Sequence, residues 1–174
     1  MTSQRRWQQK LTEKLARPDR EPPLRVAVVG VGQVLNGDDA AGVAVAQALQ
    51  PLADEHERLL VIDAGPAPEN VTGALRRFSP DFILFVDAAQ MEEPPGTVRW
   101  LEWEEISGVS ASTHTLPLHM VAAYLQTELG AEVALLGIQP GSMVPGTDIS
   151  PVVQQAVDEV AAAIAAVYGG LNTG

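Results

Sequence analysis

Residues 25–45 read RVAVVGVGQVLNGDDAAGVAV. Val26 to Val29 have the unbroken apolar character of a strand buried on both faces. Gly30 and Gly32 then form a turn, and an Ala-rich helix is expected to start at Asp38 and Asp39. The spacing of Gly32 and Gly37 is that of a phosphate-binding loop, where a lysine and a hydroxyl residue should come next. Here the next two residues are carboxylates. Negative charge at that place repels a phosphate and suits a cation.

Outward from this stretch, strands and helices alternate. Strands are predicted near 25–30, 59–63, 82–87, 98–103 and 133–138, and helices near 39–53, 68–77, 116–129 and 150–168. VAVV, LLVI, FILFV and VALLGI are nearly continuous apolar runs, as parallel strands buried on both faces require. TVRWLEW mixes charged and apolar positions, and only about ten residues separate it from the preceding strand, too few for a parallel crossover. It is expected to be antiparallel and near an edge. Ser150 followed by Pro151 reads as a helix start. Val153, Val157, Val160 and Ile164 form one buried stripe, and Leu118, Ala122, Leu125 and Leu129 another. The expected fold is a three-layer αβα domain with a mostly parallel, about five-stranded twisted sheet including one antiparallel strand.

Residues 1–23 differ from the rest. They hold six of the eleven Lys and Arg residues and three acids, so residues 24–174 carry five bases and nineteen acids. Trp7, Leu11 and Leu15 share a helix face, and Pro18, Pro22 and Pro23 follow. The expected division is a basic amphipathic helix with a Pro-rich linker (1–23) and a single α/β domain (24–174). An acidic body argues against a nucleic-acid partner. It is suited to steering a basic peptide segment and equally to simple solubility. The chain has no cysteine, which excludes disulfides, cysteine-ligated metals and a cysteine nucleophile. No apolar run approaches the roughly 20 residues of a membrane span, and no signal peptide is visible, so no membrane insertion and a cytoplasmic location are expected.

In open α/β sheets ligands bind outside the carboxyl ends of the strands. That rule selects Gly32, Asp38 and Asp39 after the first strand, Asp63 at the end of the second, Asp87 at the end of the third, and Ser112, Thr113 and His114 in the loop before the third helix. Taken singly, Asp38 reads as a helix cap, Asp39 as a favourable first-turn charge and His114 as a hydrogen-bonded loop residue. Together, Asp, Asp and His make an oxygen and nitrogen set suited to a divalent transition metal, with coordination positions left open. Asp63 is a secondary candidate for orienting a ligand or a backbone amide. His56 and His119 are not expected to be ligands, and Ser142 reads as a loop residue. No Gly-x-Ser-x-Gly elbow, HExxH helix or Gly-x-Gly-x-x-Gly spacing occurs, which sets aside a serine triad, a zinc protease and a Rossmann site.

The chain resembles the hydrogenase maturation endopeptidases over roughly residues 25–165. The closest likeness is to the branch acting on formate-hydrogenlyase-type hydrogenase. The pieces that carry it are VGVGQVLNGDDAAG (29–42), VIDAGPAPEN (61–70), VDAAQMEEPPGTVR (86–99), STHTLPL (112–118) and LGIQP (136–140). The resemblance implies an endopeptidase that trims the C-terminal extension from a [NiFe] hydrogenase large-subunit precursor after nickel insertion. It also implies that Asp39, Asp87 and His114 are the catalytic and metal-engaging residues, with the nickel supplied by the substrate and other divalent metals expected to substitute in vitro. Gln33 departs from the family's usual Asn, and its longer side-chain amide is expected to re-aim a hydrogen bond. On this reading Asp38 caps the helix and Asp39 faces the metal. A peptidyl-tRNA-hydrolase-like esterase also begins with a strand into a Gly-x-Gly turn, but the acidic body and the later motifs oppose it. A non-proteolytic, metal-dependent binding or chaperone module for the same precursor is the alternative.

Overall fold

The computed structural model describes residues 3–107, 109 and 117–171. The candidates Ser112, Thr113 and His114 lie outside them. The elements run α1 (Ser3–Leu15), β1 (Val26–Gly30), α2 (Ala41–Glu55), β2 (Leu59–Asp63), α3 (Thr72–Phe78), β3 (Phe82–Ala88), β4 (Val98–Glu102), α4 (Leu118–Leu129), β5 (Glu132–Ile138) and α5 (Pro151–Leu171). Short 3-10 turns lead into α2 (Gly37–Ala40) and α3 (Pro68–Val71).

The strands form one sheet in the order β2-β1-β3-β5-β4. The first four are parallel, and β4 runs antiparallel to β5 at the edge. This is the three-layer, mostly parallel architecture the apolar runs predict. β4 is reversed because the link from β3 is too short to carry a crossover.

Alternate residues of each strand feed opposite layers. Val26, Val28, Leu84 and Val86 join α1, α2 and α5 in one core. Ala27, Val29, Ile83 and Phe85 join α3 and α4 in the other. The predicted stripe Val153, Val157, Val160 and Ile164 is buried in the first core. Leu118, Ala122 and Leu125 are buried in the second, with Leu129 half-buried beside them.

α1 docks on the face of β4 and against α5. Trp7, Leu11 and Leu15 enter the same core as the sheet and are 1%, 1% and 4% exposed. A helix of 13 residues has little stability alone. Its apolar stripe is what holds it, and Lys14 and Arg17 add ion pairs to Glu132 at 3.2 and 2.8 Å.

Candidate active site

β1 and β3 are neighbours, yet the chain leaves β1 toward β2 on one side and β3 lies next to β5 on the other. The crevice at such a reversal is where open α/β sheets place their ligands. Asp39 follows β1 and Asp87 lies near the end of β3, so both stand at this crevice.

Close backbone approach builds it. Val31 N–H donates to the Val86 carbonyl at 2.9 Å, and Gly32 N–H to the Gly65 carbonyl at 2.9 Å. A Cβ on Gly42 would lie 2.0 Å from the Val86 carbonyl oxygen. The start of α2 is therefore seated directly on the residue preceding Asp87. Gly32 has φ +152°, and a Cβ there would meet the Asp39 carbonyl oxygen at 1.9 Å. Glycine is obligatory at both places for steric reasons.

The two adjacent aspartates have different tasks. Asp38 is fully buried, and its carboxylate holds a loop far along the chain. Oδ2 accepts from the Gly141 and Ser142 amides at 2.8 and 2.9 Å and from the Ser150 hydroxyl at 3.0 Å. Oδ1 accepts from the Ser150 amide at 2.7 Å. Burial opposes its ionisation, but the donors from Ser142, Ser150 and Gly141 outweigh that and hold the carboxyl below its ordinary range. Asp38 is thus a clasp. The expectation that it caps α2 is corrected: neither the 3-10 turn nor α2 has a side-chain cap bond. Ser150 likewise turns its hydroxyl to Asp38.

Asp39 is 5% exposed, and its Oδ2 accepts from the Gln33 main-chain N–H at 3.2 Å. Gln33 itself is exposed, so its link to the site is the backbone amide and not the side-chain amide expected from the sequence. Asp87 is 1% exposed and faces Gly137 of β5 across the ladder. Asp63 is exposed; it accepts from Gly65 N–H at 2.9 Å and from Gln47 at 3.4 Å. It shapes the turn whose Gly65 carbonyl receives Gly32, and so acts on the glycine turn through the backbone.

Gln139 escaped the sequence reading. It is 5% exposed, accepts from Met91 N–H at 2.7 Å, and donates to the Gln90 side chain at 2.9 Å and the Pro140 carbonyl at 3.2 Å. It ties the end of β5 to the loop that follows Asp87. The available signal was an amide closing an otherwise apolar strand just before a proline. Both flanks of the His114 segment reach the same region. Val109 accepts from Gln90 N–H at 2.9 Å, and Leu118 packs in the cluster containing Ala89 and Met91. His56 lies apart, stacked at a tilt on Tyr168 with centroids 5.4 Å apart.

Among the described residues no three-ligand cluster is present, and the two carboxylates are the donors the crevice offers. Fold and site together define an open α/β protein with an acidic crevice at its switch point, suited to a cation or an electron-poor centre and not to a phosphate. Comparison with known proteins narrows this. A family model described as hydrogenase maturation protease (HycI) matches residues 43–167, a span that includes Asp87 and begins just after Asp39. A putative hydrogenase maturation protease of Methanocaldococcus jannaschii is 37% identical over 122 residues, covering 67% of this chain and 72% of the relative. The hydrogenase 3 maturation protease of Escherichia coli K12 is 38% identical over 111 residues, covering 63% and 69%. The crystal structure of the [NiFe] hydrogenase maturation protease HycI from Thermococcus kodakarensis superposes with a TM-score of 0.77 at 31% identity, covering 88% of this chain and 96% of that one. The chain belongs to the hydrogenase maturation protease family.

Proposed function

We propose that this peptidase removes the C-terminal extension of a [NiFe] hydrogenase large-subunit precursor in the cytoplasm after nickel insertion. The nickel already held by the precursor is the feature it recognises. The observation that carries the reading is the pairing of Asp39 and Asp87. They come from different elements, are both buried, and converge on the switch-point crevice of a chain in this family. Carboxylate oxygens are suitable partners for a divalent ion, and an imidazole completes a set fit for a transition metal. His114 supplies that third group in this proposal. Metal already lodged in the substrate would place the scissile bond beside the crevice, so that cleavage awaits correct metal loading. As template or Lewis acid, the metal would supply what a chain without a conventional protease dyad lacks.

The test is to incubate the protein with nickel-loaded and nickel-free precursor and follow the loss of mass. Trimming of the loaded form alone, abolished in Asp87→Ala, is expected. Equal trimming of both forms refutes nickel recognition. Capture of intact precursor with no trimming of either form would instead favour a binding module.

A further inference from the structure

Two loops flank Asp39 and leave large apolar side chains in solvent. Val34, Leu35 and Val144 are 55%, 70% and 55% exposed. Their backbones are nonetheless tightly held. Gly146 N–H donates to the Leu35 carbonyl at 2.7 Å, Gly37 N–H to the Thr147 carbonyl at 3.0 Å, and Asp38 N–H to the Ser142 carbonyl at 2.8 Å. The Asp38 carboxylate closes the same pair of loops from beneath. The result is a fixed ledge that cannot collapse to hide its apolar groups. Beside it runs a groove of about 350 Å³ with a mixed lining, in which Val34, Val43 and Ile149 stand beside Gln47, Asp148 and Gln154. This surface is continuous with the crevice: Gln33, next to Val34, bonds Asp39, and Ala40 follows Asp39 in the chain.

Charge is also sorted along the strand axis. Lys14, Arg17, Arg20, Arg25 and Arg58 gather at the amino ends of the strands, bonded to Glu132, Asp81, the Phe78 carbonyl and the Pro23 carbonyl. The carboxyl-end rim holds Asp39 and Asp87 together with exposed Asp63, Glu92 and Asp148. At this end Arg6 and Arg99 line a separate cleft between α1 and the edge strand β4. An apolar patch beside a site, rimmed by one sign of charge, is the usual mark of a binding surface.

We infer that the ledge of Val34, Leu35 and Val144, with its groove, seats the stretch of the precursor that flanks the scissile bond. The stretch it fits is extended, presents apolar side chains to the ledge, and carries basic residues toward the acidic rim. This rests on the peptidase reading above and adds the chemistry of the segment that the site selects. The extended peptide lies over the apolar side chains while the rim draws in its basic groups, so affinity and salt dependence come from separate parts of one surface.

The experiment uses the full chain and nickel-loaded precursor. Val34→Ser, Leu35→Ser and Val144→Ser are combined in one variant, and Tyr124→Ser, an exposed aromatic on α4, serves as the control. KM, kcat and the dissociation constant for precursor are measured at low and high ionic strength. The triple variant is expected to raise KM and the dissociation constant at least about tenfold with kcat nearly unchanged. Affinity of the wild type is expected to fall as salt rises, and to fall when basic residues flanking the cut are replaced by Gln. The control is expected to match wild type. An unchanged KM and dissociation constant in the triple variant, with wild type cutting normally, overturns the inference. So does a wild-type dimer in sedimentation that the triple variant dissolves without altering KM, which would give the ledge to a second copy of the chain. If wild type binds precursor but does not cut it, the peptidase reading falls, and the dissociation constant still decides the ledge.

Discussion

Replacing Asp38 by Asn keeps the shape of the clasp and removes its charge. The native carboxylate receives four donors, three on Oδ2 and one on Oδ1. An amide has one acceptor oxygen. If that oxygen takes the Oδ2 place, the new NH2 faces the Ser150 N–H and leaves a buried donor unmet, which costs about 1–3 kcal/mol. The other three bonds change from charge-assisted to neutral, a loss of about 1 kcal/mol each. Relief from burying a charge offsets part of this. The net destabilisation is roughly 2–4 kcal/mol, which for a domain of this size lowers Tm by roughly 5–15 °C. Calorimetry measures the loss, and amide exchange localises it to Gly141, Ser142 and Ser150. The folded carboxyl lies below its ordinary pKa, so its contribution is complete above about pH 4 and disappears as pH falls through the folded value. Asp38→Asn is therefore expected to lose part of the acid sensitivity of wild type. A Tm within 1 °C of wild type (~1 °C being the resolution set against the size scaling), with unchanged exchange at those amides, would refute the clasp.

Three other outcomes are expected. Trp7→Ala removes the largest buried side chain of α1 and should cost about 3–5 kcal/mol in urea unfolding, whereas a docked but dispensable helix would lose little. Gln139→Leu keeps the volume and leaves Met91 N–H without its acceptor, for a loss of about 1–3 kcal/mol. It should also lower kcat, because the loop after Asp87 is released from β5; unchanged kcat with lowered stability would confine Gln139 to a structural role. Asp87→Asn should abolish trimming of nickel-loaded precursor, followed as loss of mass, because it removes one of the two buried carboxylates at the crevice; trimming at the wild-type rate would remove Asp87 from the site.

Secondary structure was legible in the sequence because its signals are local. Apolar runs such as FILFV mark strands wherever they come to lie, and stripes such as Val153, Val157, Val160 and Ile164 mark the inward face of a helix without reference to the partner. The reversed β4 followed from a connection length, also a local quantity. Asp38 shows where such reading ends. Helix-start chemistry is the nearest visible use for an aspartate before an Ala-rich segment, but its real partners lie 103 to 112 residues away. Gln139 was passed over for the same reason, since its partners belong to another strand's loop 48 and 49 residues away.

The sequence by itself determined the elements, the acidic character of the glycine turn and the rim on which Asp39 and Asp87 must stand, because propensity, periodicity and strand direction are written into short stretches of chain. Only the tertiary structure decided that β1 and β3 are neighbours, that Asp39 and Asp87 therefore share one crevice, and that the acid beside Asp39 is a clasp. Strand order and buried hydrogen bonds depend on which distant surfaces fit together, and no local pattern carries that information.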